Sequence, residues 1–241
     1  AADYEIANFK NYLKDKTPLT IEPVFVVAKF LFVDATIRVV YDSNSTNKSA
    51  SQIQTELNDS IIQYQNTNLN DFNKTLRQSR FAAFLDSVDG SIVSSDIVAK
   101  PIIEYVPTLN LAVSPSFSFE SQLVKPYPFD GAEGFSTFKP AVESTKFTVD
   151  GSLVSAKDDG KGNIMLVTGD TSVESVFKSS IGTVNYDTGA IKLSNLSISS
   201  FQNQAIKFTA NTVNKDIRPP KDRIIVIRGE DVNITVSPLE S

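Results

Sequence analysis

The sequence predicts an α+β fold, in which an α+β module is followed by a mostly β module. Helical spacing of apolar residues is confined to the first part of the chain, up to about residue 107. Beyond residue 108, short β-rich runs alternate with turn-forming residues, a spacing typical of a sandwich or a small barrel. The 241 residues suffice for one large domain or two small ones. We therefore predict two modules, residues 1–107 and 108–241.

The first module is predicted to contain a helix, two strands, two helices and an extended segment. Apolar residues near helical spacing predict the first helix over residues 3–15. Strands are predicted over Val24 to Phe30 and over Leu31 to Tyr41. The second strand alternates apolar and polar residues, so one of its faces is expected to be buried. Ser49 lies three residues before Gln52, which predicts the capping box of a helix.

The helix after Ser49 carries an apolar stripe, and a second helix is predicted to follow it. Asn70 or Asp71 is a favourable N-cap for that second helix, and Asp89-Gly90 ends it. Residues 91–106 are predicted to be extended, with Pro101 limiting them to edge or interrupted pairing. The predicted stripes are Ile53, Leu57, Ile61 and Tyr64 on the first of these helices, and Phe72, Leu76, Ser79/Arg80 and Ala83/Phe84 on the second.

The second module is predicted to consist of short strands joined by turns. Asp158 to Asn163 could suggest a calcium loop, but the spacing of its ligands fails the EF-hand pattern and its glycines favour a hairpin turn. The predicted β-rich runs are Leu109–Phe119, Lys146–Ala156 around Asp150-Gly151, Asn163–Thr168, Ser172–Lys178, Gly182–Tyr186, Ala190–Leu193, Ala205–Ala210 and Ile224–Val236.

Residues 120–140 are rich in Pro and Gly and are predicted to form a long loop or extended arm. Two interpretations of its aromatic residues stay open. They dock on a partner, since aromatic residues dominate the cores of interfaces, or they fold over the core of their own chain. The aromatic residues are Tyr127, Phe129, Phe135 and Phe138.

The composition excludes several classes of function. The chain has no Cys, His or Trp, which removes thiolate nucleophiles, the Ser-His-Asp mechanism and the commonest metal ligands. A net charge of −5 disfavours nucleic acid, which needs a basic face. No apolar stretch approaches the length of a membrane span. We predict a protein that is not an enzyme, with no cofactor, metal, small-molecule substrate, nucleic acid or membrane as a partner.

Six stretches of the chain carry a likeness to a known family: Phe25–Ala28, Ile37–Tyr41, Ser51–Tyr64, Phe72–Phe81, Leu85–Ile92 and the hairpin Gly182–Ile191. They resemble the C-terminal region of the baseplate J-like family, most closely the large wedge subunits of T4-type contractile-tailed phages. The likeness is strong over residues 20–105 and looser beyond. Because the chain begins with Ala1 and a helical pattern is already under way at Ile6, we expect a fragment of a longer protein.

The resemblance implies a structural role in the virion, in the tail baseplate, with assembly in the bacterial cytoplasm. Wedge subunits of this kind pair with their own copies, link into a ring around the tail hub and dock other wedge proteins. We therefore expect a homodimer that assembles into a ring. The expected contact residues are Phe72, Leu76, Arg77, Arg80, Phe81, Tyr127, Phe129, Phe135 and Phe138.

Alternatives to this interpretation stay open. Arg77, Ser79 and Arg80, with Asp86 and Asp89, form either a polar set that positions a neighbouring subunit or a solvated helix face with internal ion pairs. The β-rich half with its aromatic residues is also compatible with a carbohydrate- or surface-binding tail adhesin, although the absence of Trp weakens that alternative. An enzyme that uses carboxylates is the third hypothesis.

Overall fold

The computed structural model describes residues 3–14, 16, 28–131, 135, 137–169, 173–220 and 222–240. These residues form three α-helices: α1 Asp3–Lys14, α2 Ala50–Tyr64 and α3 Gln78–Asp86. A π-helical turn, Gln65–Leu69, extends α2, and a 3-10 turn spans Gly229–Asp231. The strands are β1 Lys29–Tyr41, β2 Ile92–Tyr105, β3 Ala112–Val113, β4 Ser116–Ser118, β5 Val142–Ser144, β6 Phe147–Val149, β7 Ser152–Asp158, β8 Asn163–Thr168, β9 Ser175–Asn185, β10 Ala190–Leu193, β11 Leu196–Ser197, β12 Ser200–Phe201, β13 Ile206–Ala210, β14 Arg223–Val226 and β15 Val232–Pro238.

Thirteen of these strands belong to one continuous mixed sheet, and the α+β class is therefore confirmed. Its main path runs in the order β14, β1, β2, β13, β5, β7, β8, β9, β10, β4. β15 pairs with β1, while β6 pairs with both β7 and β12. β3 and β11 pair with each other in a separate two-stranded sheet, and the other strands expected as a sandwich or small barrel lie in the same sheet as β1 and β2.

β1 is one strand where the sequence predicted two. It begins at Lys29 and runs through the predicted break between Phe30 and Leu31, because β14 pairs with residues 29–32 in continuous register. Residues 24–27 of the predicted first strand lie outside the described residues. The predicted alternation is confirmed, since one face is buried throughout: Leu31, Val33, Ala35, Ile37, Val39 and Tyr41.

α2 begins and packs as its sequence pattern predicts. The Ser49 side chain accepts a hydrogen bond from Gln52 N–H, and the Gln52 side chain accepts one from Ser49 N–H at 2.8 Å. Together these bonds complete the capping box. The predicted stripe is buried in the core that also holds the apolar face of β1: Ile53, Leu57, Ile61 and Tyr64. Burial of each such side chain contributes about 1.5–3 kcal/mol, so packing on the sheet holds this helix in place more than intrinsic propensity does.

The start of α3 was predicted wrongly, at Asn70 or Asp71. The helix begins at Gln78, whose backbone N–H donates to the Asp216 carboxylate at 3.3 Å. Leu76 lies before the helix in an isolated bridge with Ile217. Because both partners come from about 140 positions further along the chain, the local sequence does not reveal this start. The buried face also differs from the prediction and consists of Phe81 and Leu85.

β2 confirms the extended segment predicted over residues 91–106, and also the edge or interrupted pairing predicted from Pro101, since over residues 92–101 it pairs with β1 alone among the described strands. Pro101 lies opposite Val33 of β1, and from Ile102 onward the strand pairs with β13 as well. The first half of β2 contributes Ile97 to a core that includes β1, α2 and α3. Its second half packs Ile103 and Tyr105 against a second core between the strands of the other module. β2 is therefore the strand that the two cores share.

The strands of the second module agree with the sequence only in part. The run predicted at 109–119 divides into β3 and β4, and β5, β11 and β12 lie outside every predicted run. The runs predicted at 172–178 and 182–186 merge into β9, which bends through irregular pairing with β8. The run predicted at 224–236 divides into β14 and β15, which pair in parallel with β1 and belong to its core. The division of the chain at residue 107 stays a prediction, but the end of the chain returns to pack on the first module.

We expect Ser49→Ala to lower the free energy of unfolding by about 1 kcal/mol, because it leaves Gln52 N–H without its capping acceptor. Urea denaturation followed by circular dichroism measures the effect. Thr55→Ala, on the exposed side of the same helix, is the matched control and should leave the stability unchanged or slightly higher. Equal stability of Ser49→Ala and the wild type would contradict the role of the cap.

Candidate interaction surfaces

The arm, residues 120–140, folds back on itself in its described part. Phe129 stacks on Phe135 with ring centroids 4.4 Å apart, and Phe138 meets Phe129 edge-on at 5.3 Å. All three rings are half-buried. Tyr127 differs, since 92% of its surface is exposed. The three Phe side chains therefore favour the interpretation of a loop folded over its own chain, whereas Tyr127 is available for a partner.

The arm is held on the hairpin between β7 and β8. Phe129 N–H donates to the carbonyl oxygen of Asp159 at 2.8 Å. Gly160, at φ +72°, lies so close to the arm that a Cβ there would meet the Tyr127 carbonyl oxygen at 2.5 Å and the Pro128 Cα at 2.9 Å. A glycine is thus required at this position both by its backbone conformation and by the approach of the arm.

The same hairpin uses two carboxylates as internal acceptors. Asp158 is fully buried and accepts from Val142 N–H at 2.8 Å and from the Tyr186 hydroxyl at 2.7 Å. Burial raises the pKa of Asp158, against the opposing effect of these hydrogen bonds. Asp159 accepts from Lys161 N–H and Asn163 N–H at 2.8 and 2.9 Å. The predicted hairpin turn is confirmed. Its two carboxylates accept hydrogen bonds from groups within the same chain.

The predicted contact residues near α3 divide into a buried pair and an exposed set. Leu76 and Phe81 are 1% and 0% exposed and belong to the core beneath the helix. Phe72, at 42% exposure, Arg77 and Arg80 lie on the surface. Of the contact residues expected near α3, a partner can therefore reach only the exposed ones. Their use as contacts stays a prediction.

Among the described residues, no side-chain hydrogen bond or ion pair joins two members of the polar set expected around α3. Asp89 pairs with Lys48 at 2.7 Å and accepts from the Ser91 hydroxyl at 2.6 Å. The pKa of Asp89 is lowered to about 2, mainly by the hydrogen bond from Lys48 and to a smaller extent by those from Ser91. Across the described ranges, neither Arg77 nor Arg80 forms an ion pair. Their guanidinium groups therefore stay available at the surface, where planar, fork-shaped donors suit carboxylates of another chain.

Sequence reasoning missed a charged network where the end of the chain meets β2 and β13. Asp231 is buried and pairs with Lys207 and Arg228, both at 2.5 Å. Arg228 also pairs with Glu104 at 2.7 Å and lies 3.8 Å above the Phe32 ring. Glu104, Lys207 and Asp231 are far apart in sequence, so no local pattern could have identified the network. It ties the 3-10 turn to the sheet.

The polar clusters described above thus close on groups of the same chain, and the exposed residues lie at the surface of a continuous sheet with three helices. Among the described residues, no three His, Cys, Asp or Glu side chains are grouped so that they could hold a metal ion. No helix in this part of the chain has the length and apolar character needed to cross a membrane.

Residues 29–100 match the family described as baseplate structural protein gp6, C-terminal domain III. A 97-residue stretch is also 26% identical to the baseplate wedge protein gp6 of Enterobacteria phage T4, covering 40% of this chain and 15% of that protein. The resemblance to baseplate wedge subunits is therefore confirmed for a part of the chain. The matched residues contain β1, α2, α3 and most of β2, and the similarity supports a structural role in a baseplate.

We expect Gly160→Ala to destabilise the protein by about 1–3 kcal/mol more than Gly151→Ala does, because its Cβ would overlap the arm backbone. Gly151 is the matched control, since its φ of +77° imposes a similar strain while nothing lies within 4 Å of its Cβ. Thermal unfolding measures the difference, and faster limited proteolysis within residues 124–131 would show release of the arm. Equal destabilisation by both changes would contradict the docking of the arm on Gly160.

We expect Asp89→Asn to lower the free energy of unfolding by about 1 kcal/mol at neutral pH. The folded pKa of Asp89, about 2, lies below its ordinary value of 3.8, so its ionised form is favoured by folding. This stabilisation is present above about pH 4 and is lost as the pH falls through 2. Denaturation at a series of pH values should show the variant and wild type converging in acid. An unchanged gap would contradict the assignment, and Asp59→Asn, on the exposed side of α2, is the control.

Proposed function

We propose that this chain is a structural subunit of a phage tail baseplate wedge, which self-associates and links wedges into a ring around the tail hub. It functions in the virion, at the tail baseplate, after assembly in the bacterial cytoplasm. Other baseplate wedge proteins are its further partners. The observation that carries the proposal is the match of residues 29–100 to the gp6 C-terminal domain III. The matched stretch contributes β1, α2, α3 and most of β2 to one core, which β14 and β15 complete from outside the matched residues.

The exposed residues next to α3 are the surface proposed for self-association. Phe72 offers an apolar contact, and Arg77 and Arg80 offer charged donors within about one helical turn. Such a combination is typical of the anchors of an interface, where aromatic residues and Arg are enriched. In a two-fold symmetric dimer the same patch meets itself, so the carboxylates that face these guanidinium groups must belong to the same patch, and Asp71 and Asp86 are the acidic residues nearest to it in sequence. Tyr127 on the arm provides a second exposed aromatic contact.

A carbohydrate- or surface-binding adhesin is the second candidate, and the exposure of Tyr127 is the observation that favours it. A glycan platform needs an exposed aromatic ring surrounded by polar groups, but Phe129 is packed between two other rings. Glycan binding that is lost in Tyr127→Ala would support this second candidate. Its absence, together with self-association, would favour the baseplate role.

We expect light scattering at micromolar concentration to give twice the mass of one chain. The double variant Arg77→Glu/Arg80→Glu should weaken self-association by at least about tenfold, because it replaces attraction by repulsion at the contact. Lys192→Glu changes the same kind of exposed cation on β10, in the other module, and should leave the dimer intact. A wild-type chain that stays monomeric would contradict self-pairing, and equal weakening by the control would contradict the proposed surface.

A further inference from the structure

One edge of β2 is left open by the strand that pairs with its second half. β13 pairs with β2 over residues 102–105, and its last residue, Ala210, lies opposite Val142 of β5. Over residues 92–101, the described strands pair with β2 on its β1 side alone. The sheet therefore divides beside Ile102, with an unpaired strand edge on one side of the gap.

The hydrogen bonds of β13 determine which backbone groups of β2 point towards this edge. Lys207 N–H donates to Thr145 Oγ1 at 3.0 Å, and Lys207 C=O accepts from Thr145 N–H at 2.9 Å. Lys207 thus faces away from β2. Because neighbouring residues in an antiparallel strand direct their backbone groups to opposite edges, Phe208 faces β2 and its partner Ile103 faces β13.

Steps of two residues back from Ile103 place Pro101, Ala99 and Ile97 on the same, open edge. The register with β1 is regular over these residues, so the alternation holds. Pro101 fits this assignment, because a strand tolerates a missing N–H where no partner strand lies. In the described part of the chain, the backbone groups that Ile97 and Ala99 direct to this edge have no hydrogen-bond partner. Two N–H and two C=O groups are therefore available.

A cleft of about 700 Å³ lies along this edge, and we name it the β2 cleft. One wall is formed by four consecutive residues, Asp96 to Ala99. Because side chains of a strand alternate between its two faces, a cavity that touches four in succession follows the backbone edge. The other wall contains residues 124–128 of the arm, together with Thr212. The volume lies within the range of about 300–1,000 Å³ that is usual for ligand sites.

The charge of the β2 cleft is opposite in sign to that of the whole chain, which carries −5. Lys125, Lys139 and Lys215 line it, and none of them forms an ion pair with a described residue. Asp96 also lines it without an ion pair, while Asp130 is engaged in an interaction of its own. Three lysines thus line the cleft together with Asp96, and the Lys125 ammonium also lies 5.9 Å from the centroid of the Tyr186 ring.

We propose that the β2 cleft binds an extended acidic segment of a partner protein, which adds as a strand to the open edge of β2. The backbone of the segment would pair with Ile97 and Ala99, and its carboxylates would face the three lysines. A second copy of this chain fits less well, because its own β2 edge lies behind its own arm. The inference rests on the proposed function, because it requires a protein partner. It deepens that function by giving the chemistry of the partner.

A synthetic peptide tests the inference directly. The probe is a fluorescent peptide of about eight residues that alternates Asp and Val, long enough to cover the edge in extended form. Its control carries Lys in place of every Asp. We expect saturable binding of the acidic peptide, with the basic peptide at least about tenfold weaker. No saturable binding of the acidic peptide at millimolar concentration, or equal affinity for both peptides, would overturn the proposal.

Hydrogen exchange resolved to single amides distinguishes strand addition from adhesion to the surface. The amides of Ile97 and Ala99 should exchange rapidly in the free chain and become protected with the peptide. The amides of Asp96 and Val98, which face β1, should be protected in both states and serve as internal controls. Binding without new protection at Ile97 and Ala99 would overturn the proposal. Protection that instead rises with protein concentration alone would identify a second copy as the occupant.

Two variants separate the backbone contact from the charge contact. Ala99→Pro removes an N–H that has no partner in the described part of the chain, and should abolish peptide binding. Lys125→Glu/Lys215→Glu changes exposed side chains only and should reverse the preference between the peptides, even if the proline variant folds poorly. Peptide binding unaffected by both variants would overturn the inference. Light scattering of the charge variant should still give a dimer, so failure of this site and failure of self-association are distinguishable.

Discussion

The sharing of β2 between two hydrophobic cores is the constraint on which the rest of the structure depends. Ile97 belongs to the core below α2 and α3, and Ile103 packs against the core of the second module. Neither core can open without disturbing the strand that also serves the other. The return of β14 and β15 to β1 strengthens this coupling, because residues that follow the second module in sequence complete the first core. The two sequence modules are therefore joined by pairing as well as by covalent connection.

Two buried carboxylates help to hold the segments that connect the strands of the sheet. Asp231 is buried and is opposed by two cations, which offset the cost of removing its charge from water. Asp158 is buried with neutral donors instead, so its carboxylate is held by hydrogen bonds while burial raises its pKa. Both residues therefore fix the position of a connecting segment, the 3-10 turn in one case and the β7–β8 hairpin in the other. The arm packs on that hairpin, so the hairpin also determines the position of the arm.

The sequence predicted those features that are encoded locally. The alternation in β1, the capping box at Ser49 and the turn at Asp150-Gly151 each depend on residues within a few positions of one another. The start of α3 did not, because its cap comes from Asp216. The contact list shows the same limit. Exposed Tyr127 could be selected by its surroundings in the sequence, whereas the burial of Phe81 depends on how α3 turns towards the sheet.

Pro101 predicted edge or interrupted pairing of β2, but no local pattern shows where the open edge lies, because it is created by the path of a strand about one hundred residues later. Had β13 continued alongside β2 past Ile102, Ile97 and Ala99 would be paired and no cleft would exist. Instead, β13 diverges to β5. Pro101 is consistent with this divergence, since its ring would remove a hydrogen bond from a strand that continued there. An unpaired edge inside a large sheet is a hazard for uncontrolled pairing. The arm and the three lysines restrict access to it, which makes the edge selective for one kind of strand.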